Sequence, residues 1–160
     1  MNKLRDELSK VNSVLEFKDN DYLQMVIKES HRLMPLAQSF RKPDRDIPVK
    51  GTDYVIPKGS ICLLSQVISS RNHKIFQDPD SFIPERWENP TREMLESTNP
   101  FALGKRRCPG RALASAELEV VAPFLMQNFH FSVAYDEGAY DTFPFIGYDK
   151  VRLQFTPLSQ

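Results

Sequence analysis

One short stretch constrains this chain more than any other, because it presents a thiol between two glycines at the start of a helix. Residues 99–119 read NPFALGKRRCPGRALASAELE, with Cys108 between Gly104 and Gly110. A glycine allows a sharp backbone turn, or the close approach of a large flat group. Pro109 is a favoured first residue of an α-helix. The stretch therefore predicts a tight turn that carries Cys108 and leads into a helix.

The sequence around Cys108 favours the ionised form of its thiol. Unpaired N–H groups at the start of a helix carry partial positive charge. Basic side chains add full charges close by in sequence, at Lys105, Arg106, Arg107 and Arg111. Both effects stabilise a thiolate relative to a thiol.

Several roles are open to such a thiolate. A nucleophile needs a base, and neither His73 nor His130 can be placed beside Cys108 from the sequence. A redox thiol usually has a resolving partner, whereas Cys62 lies 46 positions earlier. A lone thiolate suits a metal whose other ligands do not come from the protein, and haem iron is such a metal. The structural alternative is a small buried cysteine with solvated basic neighbours.

The overall composition fits one globular domain and excludes some classes of protein. The chain has 160 residues, and 21 Lys and Arg residues balance 21 Asp and Glu residues. This formal charge of zero argues against a general nucleic-acid-binding protein. Two cysteines cannot form a disulfide framework, which favours a reducing compartment. The sequence has no run of 18 apolar residues, so it predicts no membrane span.

Hydrophobic periodicity predicts two helices in the first part of the chain. Apolar residues at helical spacing predict one helix over 2–17, with Leu15 on its apolar stripe, and another over about 21–34. Asp21 is the expected N-cap of the second helix, and Pro35 is expected to stop it.

The rest of the chain predicts turns, short strands and one more helix. Residues 41–65 alternate β-prone runs with Gly and Pro, which predicts a hairpin or small sheet. Residues 70–100 predict a long ordered loop with one or two helical turns. A third helix should begin at Pro109 and kink or end at Pro123. Alternation also predicts two terminal strands, over 129–135 and 150–157. The expected fold class is mixed, mainly α with small β-sheets.

The order of residues around Cys108 resembles a known signature. The chain fits the pattern F-x-x-G-x-R-x-C-x-G at Phe101, Gly104, Arg106, Cys108 and Gly110. A chance match at all five fixed positions is very unlikely in a chain of this length. The pattern resembles the haem-binding signature of the cytochrome P-450 family. The resemblance implies that Cys108 is the axial ligand of haem b (iron protoporphyrin IX), and that Arg106 pairs with a haem propionate. It further implies that Phe101 packs beside the sulfur, and that Gly104 and Gly110 let the loop lie flat under the porphyrin.

A second pair of motifs resembles the same family. KESHR contains Glu29 and Arg32, three residues apart on one helix face, and FIPERW contains Arg86. The resemblance implies a Glu–Arg–Arg network that fixes the long loop so that Cys108 is correctly presented. The alternative for Glu29 and Arg32 alone is a surface ion pair. His31 stands in this motif where the family usually has an apolar residue.

The resemblance covers the chain almost from end to end, but only as the C-terminal part of the family's fold. The proteins of this family are roughly three times as long as this chain. Residues 1–160 are therefore expected to be a haem-binding segment that lacks the N-terminal two thirds of the family's fold. The long helix that crosses the distal face of the haem and activates oxygen is not among these residues. The complete protein is then expected to be a monooxygenase that inserts one atom of O2 into an apolar organic substrate. The alternatives are a haem-thiolate isomerase or dehydratase acting on hydroperoxides, and a truncated, non-catalytic chain.

Weaker expectations follow from the same resemblance. Arg41 could pair with the second haem propionate, and Leu36 to Phe40 and Phe145 to Gly147 could contact a small apolar substrate. Cys62 is expected to be inert core.

An electron donor is implied as well, either a reductase or a ferredoxin. It could bind a basic patch formed by Lys105, Arg107 and Arg111, for which a solvated charged rim is the alternative. Eukaryotic relatives of this type are usually anchored in the endoplasmic-reticulum membrane.

Overall fold

The computed structural model of the chain describes residues 2–11, 13–36, 38–136, 140–141, 147–148 and 151–158. Its helices are α1 (Asn2–Leu8), α2 (Asp21–Leu33), α3 (Gln66–Ser70), α4 (Arg92–Ser97) and α5 (Arg111–Asn128). Short 3₁₀ segments lie between them, at Val14–Asp19, Pro84–Trp87 and Gly104–Arg106. The strands are β1 (Ser39–Arg41), β2 (Ile47–Pro48), β3 (Val55–Ile56), β4 (Cys62–Leu64), β5 (Phe129–Asp136), β6 (Tyr140–Asp141), β7 (Gly147–Tyr148) and β8 (Val151–Pro157).

The strands form two-stranded antiparallel sheets. Together with helices α1 to α5, these small sheets confirm the predicted fold class, mainly α with small β-sheets. β2 and β3 form an inner hairpin, and β1 and β4 form an outer one with Ser39 opposite Leu64. These nested hairpins are the small sheet expected over 41–65. β5 pairs with β8, and their register shifts between Val133 and Tyr135.

A first hydrophobic core joins the N-terminal helices to the last one. It contains one methionine of α5 and four buried residues from α1, the first 3₁₀ segment and α2: Met126, Leu4, Leu8, Phe17 and Leu23. Burying apolar side chains of this size contributes about 1.5–3 kcal/mol each. This core fixes α2 against α5, the two helices on either side of the cysteine loop.

A second core fixes the long loop between α3 and the cysteine turn. Phe76, Trp87 and Met94 are buried together, and Met25 of α2 packs against them with Ile75. The loop is thus ordered by its own aromatic residues and by α2. This agrees with the prediction of an ordered loop with helical turns.

The predicted N-terminal helix is only half correct, because α1 ends at Leu8. The Ser9 hydroxyl donates to the carbonyl oxygen of Asp6, and Ser13 caps the 3₁₀ segment that follows. Short polar side chains of this kind compete with helical hydrogen bonds. Leu15, expected on the buried stripe, is therefore 79% exposed, and Phe17 is buried instead.

The second helix agrees with its prediction except at its cap. The Asn20 side chain accepts a hydrogen bond from the Leu23 N–H at 2.8 Å, so Asn20 rather than Asp21 is the N-cap. The helix ends at Leu33, two residues before Pro35.

The prediction for the third helix is wrong at its start, and the helix does not end at Pro123. α5 begins at Arg111 rather than Pro109, and it continues through the buried Pro123 to Asn128. A proline costs a helix about 3 kcal/mol, so other contacts must support the last turns. Among the described residues, no helix is long and apolar enough to cross a membrane.

Arg5 of α1 supplies such support. Its guanidinium donates at 3.0 Å to the carbonyl oxygen of Met126, in the last turn of α5 where carbonyls lack helical donors, and at 2.9 Å to that of Phe129, the first residue of β5. Arg5 also lies 3.0 Å from Nδ1 of His130, which must accept because an arginine only donates. Gln127 in turn donates to the carbonyl oxygen of Leu8 at 2.8 Å.

We expect Arg5→Ala to lower the free energy of unfolding by about 1–3 kcal/mol, because it leaves part-buried carbonyl groups unpaired. Denaturant unfolding followed by circular dichroism measures the change. Lys10→Ala is the matched control, since Lys10 joins Glu7 in an exposed ion pair, and such pairs contribute little. Equal stability of the two variants would contradict the role of Arg5.

Candidate functional site

The loop that carries Cys108 is closed by its own backbone. The Cys108 N–H donates to the carbonyl oxygen of Phe101 at 2.8 Å, and the Arg107 N–H donates to that of Gly104 at 3.2 Å. The Ala102 N–H donates to the carbonyl oxygen of Asn99 at 3.1 Å. Phe101 and Cys108 are therefore directly linked, and a shift of one backbone moves the other.

Two residues of this loop have left-handed backbone angles. Gly104 has a φ of +74°, which explains the glycine, whereas Ala102 has a φ of +56°. An alanine in this region costs about 1–2 kcal/mol, so surrounding contacts must hold the turn. Gly110 has an ordinary φ of −80°. A Cβ atom added there would lie 3.8 Å from the Cys108 sulfur, which is normal contact.

Cys108 is exposed, and its side chain lines a cavity of about 900 Å³. The alternative of a buried structural cysteine is therefore wrong. α5 forms one wall with Ala114, Leu118 and Val121, which the helical spacing of three and four residues places on one face. Among the described residues, Cys108 is the one thiol that lines this space.

The cavity gathers most of the predicted signature. Phe101, Arg106 and Gly110 line it together with Cys108, whereas Gly104 shapes the turn without reaching the lining. The other lining residues come from α2, the segment after it, β1, α3 and α5, and they include His31, Leu36, Ser39, Gln66 and Glu117.

Arg41 is not brought into this cavity. It lies on β1 and lines a neighbouring cavity of about 960 Å³, and its Nη1 donates to the carbonyl oxygen of Phe40 at 2.8 Å. The two cavities share Ser39, Gln66 and Ala102 in their linings. The pairing of Arg41 with a propionate therefore stays a prediction.

The remaining sequence-predicted positions are mixed in outcome. Lys105, Arg107 and Arg111 are all exposed, as a docking patch or a solvated rim requires. Cys62 is only half-buried on β4, so the expectation of a core cysteine is wrong. Of the expected substrate-contacting positions, Leu36 and Ser39 line the cysteine cavity. Ala37, Phe145 and Ile146 lie outside the described residues.

The Glu–Arg–Arg network forms, and it is buried. The Glu29 and Arg32 side chains are both 0% exposed, and they meet through bonds of 2.8 and 2.9 Å. Arg86 Nε donates to the same carboxylate at 3.0 Å. The alternative of a surface ion pair is therefore wrong.

Two further donors to Glu29 were not foreseen. The indole N–H of Trp87 donates to Oε2 at 2.9 Å, and the Ile83 N–H donates to Oε1 at 2.9 Å. A tryptophan directly after Arg86 is a sequence signal for such a donor, because a buried indole N–H needs an acceptor. The backbone donor leaves no signal in side-chain identity.

These bonds set the charge state of Glu29. Burial by itself raises the pKa of the carboxyl, but the hydrogen bonds from Arg32, Ile83, Trp87 and Arg86 together lower the pKa below its ordinary value. The carboxylate is thus ionised at neutral pH. The stability that it contributes is present above its unfolded pKa, about 4.5, and is lost as the pH falls below that value.

The two guanidiniums bind the long loop through its main chain. Arg32 donates to the carbonyl oxygens of Ser70 at 2.9 Å and Ser81 at 3.0 Å, and also to that of Pro79. Arg86 donates to the carbonyl oxygens of Gln77 at 2.9 Å and Asp78 at 3.3 Å. The network therefore ties α2 to the end of α3 and to the first half of the loop that leads to the cysteine turn.

His31, beside this network on α2, faces the cysteine loop. Its ring and that of Phe101 meet edge to face, with centroids 5.4 Å apart and planes at 76°. Burial lowers the pKa of the His31 imidazole, because a low-dielectric surrounding disfavours the charged ring.

We expect the lowered pKa of His31 to appear in the pH dependence of stability. In the unfolded chain this ring takes up a proton as the pH falls through about 6.5, whereas in the folded chain burial disfavours protonation. The free energy of unfolding therefore decreases as the pH decreases. The loss of unfolding free energy between about pH 8 and pH 5.5 should be smaller in His31→Leu. Urea unfolding at a series of pH values measures it. His73→Leu, at an exposed position, should keep the wild-type slope, and an unchanged slope in His31→Leu would refute the prediction.

Comparison with known proteins gives one family. The model of the family described as Cytochrome P450 matches residues 2–154. The human protein 25-hydroxyvitamin D-1 alpha hydroxylase, mitochondrial, is 41% identical over 120 residues, which are 73% of this chain and 23% of that protein. Ferruginol synthase 1 of Rosmarinus officinalis is 37% identical over 123 residues, 74% of this chain and 24% of that protein. The chain thus spans about a quarter of the length of these relatives.

A solved structure supports the fold. The structure titled retinoic acid bound cyanobacterial CYP120A1 superposes with a TM-score of 0.84 at 23% sequence identity. The match covers 98% of this chain and 38% of that one. The arrangement of helices and small sheets is therefore that of part of this larger fold.

Proposed function

Because the chain belongs to the cytochrome P450 family, we propose that it is the haem-thiolate segment of a monooxygenase. The observation that carries the proposal is the exposed thiol of Cys108 in the lining of a cavity of about 900 Å³. Free cysteines are usually buried, so an exposed one at a closed, strained turn is better explained by a ligand.

The residues around this cavity suit haem. Its volume lies in the range of cofactor pockets, about 300–1,000 Å³, and apolar side chains predominate in its lining. Cys108 would ligate the iron of the group, which we take to be haem b, and the Arg106 guanidinium would pair with a propionate. Phe101 and the α5 face of Ala114, Leu118 and Val121 would cover apolar parts of the macrocycle.

The chain's own residues would act by position and charge. A bound haem with a thiolate ligand supplies the chemistry that favours O–O bond cleavage. Phe101 would keep water from the sulfur, and the cation of Arg106 would neutralise a propionate. The Glu29 network would act at a distance, by fixing the loop that leads to Cys108.

The substrate and the electron donor belong to the complete protein. The named relatives are a hydroxylase and a synthase, which supports oxidation of an apolar organic substrate. Lys105, Arg107 and Arg111 would receive an acidic reductase or ferredoxin, with association that weakens as salt increases. The human relative is named as mitochondrial, so family membership alone does not favour the endoplasmic reticulum.

The test is a spectrum. We expect the chain, titrated with haem, reduced and exposed to CO, to give the long-wavelength Soret band that marks thiolate ligation. A band at the shorter wavelength typical of other ligands, or no saturable binding, would refute the proposal.

A further inference from the structure

His31 lies in the wall between two cavities. On one side is the cavity of Cys108, and on the other is a smaller cavity of about 350 Å³ between α2, the cysteine loop and α5. The residues that line both are His31 from α2 and Pro100, Phe101 and Ala102 from the loop. His31 is therefore the one α2 residue that lies in the lining of both described cavities.

The ring of His31 contacts the loop at Phe101. The two rings adopt the edge-to-face geometry with centroids 5.4 Å apart, which the charge distribution of aromatic rings favours. Phe101 then accepts the hydrogen bond of the Cys108 N–H through its own carbonyl oxygen, at 2.8 Å. Two consecutive contacts thus lead from α2 to the backbone of the cysteine.

The contact between His31 and Phe101 lies next to the strained part of the cysteine loop. Ala102, directly after Phe101, has a left-handed φ of +56°, and Gly104 follows at +74°. A turn with an alanine in this conformation would relax if the preceding residue were free to move. His31 holds that preceding residue from the side of α2, and the neighbouring Arg32 is itself immobilised by the buried network.

We propose that His31 is a positioning residue for the thiolate, acting through Phe101. This inference rests on the proposed function, because the group that it positions is the haem ligand. The planar ring sets the place of Phe101, and Phe101 sets the backbone of Cys108. A leucine would fill the same space but could not make the edge-to-face contact, whereas a phenylalanine could.

Charged and titratable groups share these two cavities with His31. They are Lys28 on α2, Arg106 and Cys108 on the loop, and Arg111, Glu117 and Glu119 on α5. The variants below replace the His31 ring by uncharged side chains of different shape. They are compared at a single pH, so that the neighbouring charged groups are under the same conditions in every measurement.

The experiment compares His31→Leu, His31→Phe and the control His73→Leu in the haem-loaded chain. Two quantities are measured, the rate of haem transfer to an excess of a haem-scavenging protein and the share of the reduced CO complex that keeps the thiolate band. We expect His31→Leu to release haem roughly two- to tenfold faster and to lose part of the band. His31→Phe should restore both, and His73→Leu should match the wild type.

Each outcome has one meaning. If His31→Leu equals the wild type in both quantities, or if His31→Phe is as defective as His31→Leu, the inference is wrong while the haem-thiolate function stands. If the wild type shows no thiolate band, the proposed function fails and the inference with it. A readout without haem is also available, because Phe101→Leu should shift the His31 ring protons in the NMR spectrum of the apo chain. Unshifted ring protons would refute the contact itself.

Discussion

Glu29→Gln is expected to lower the free energy of unfolding by about 3–5 kcal/mol, the cost of leaving buried charge without its partner. Both carboxylate oxygens accept hydrogen bonds, from Arg32 on each oxygen, from Arg86 and Ile83 on one and from Trp87 on the other. Glutamine keeps the shape but replaces one acceptor by a donor, so N–H groups would face N–H groups. Two guanidiniums would also lose the negative charge between them. Denaturant unfolding of the apo chain measures the loss.

Glu93→Gln is the matched control, because Glu93 is exposed on α4. It should change stability by no more than about 0.5 kcal/mol. Arg86→Ala should be destabilised nearly as strongly as Glu29→Gln, since it removes the same pairing from the other side. If the free energy of unfolding of Glu29→Gln were within about 1 kcal/mol of the wild-type value, the buried network would not need the negative charge of Glu29 for stability.

Cys108→Ala is expected to abolish the thiolate band of the reduced CO complex and to weaken haem binding by at least about tenfold. Changes in the surroundings of metal ligands alone cost about 10–100-fold in affinity, so loss of the ligand should cost no less. The thiol is exposed, so the apo chain should keep its stability within about 0.5 kcal/mol. The loss would then be a loss of ligation rather than of fold.

Cys62→Ala separates the two thiols. Cys62 is half-buried on β4 and does not line the cavity of Cys108. We expect it to keep the thiolate band in full. A Cys108→Ala protein with an unchanged spectrum would exclude Cys108 as the ligand, and loss of the band in Cys62→Ala instead would move the assignment to β4.

The parts of the site that the sequence predicts are those where side-chain identity carries the chemistry. Arg86 lies far from Glu29 and Arg32 in sequence, and the resemblance of their two motifs to one family predicted the network, in which a carboxylate pairs with two guanidiniums. The ligand role of Cys108 likewise came from the resemblance and stays a prediction, whereas its exposure is known only from the structure. The second helix and the small sheet over 41–65 also follow from local patterns that agree with the final packing.

The features that escaped prediction depend on tertiary contacts. Leu15 continues an apolar stripe in sequence, but the chain turns at Ser9 and buries Phe17 instead. Pro123 stays inside α5 because packing and Arg5 support the last turns, which the local sequence does not reveal. His31 was noted only as an unusual residue, since its contact with Phe101 joins positions 70 residues apart.

The main-chain contacts of Arg32 and Arg86 bear on how freely the long loop can vary in sequence. At Gln77, Asp78, Pro79 and Ser81 it is the carbonyl oxygens that are bound, and a carbonyl oxygen is the same for every amino acid. Asp80 differs, because its side chain accepts a hydrogen bond from Arg71. Natural drift or deliberate diversification at Gln77 and Ser81 should therefore be tolerated. Asp78, with a φ of +45°, should accept few replacements besides Asn and Gly. The segment can thus change its composition while the two arginines keep its path.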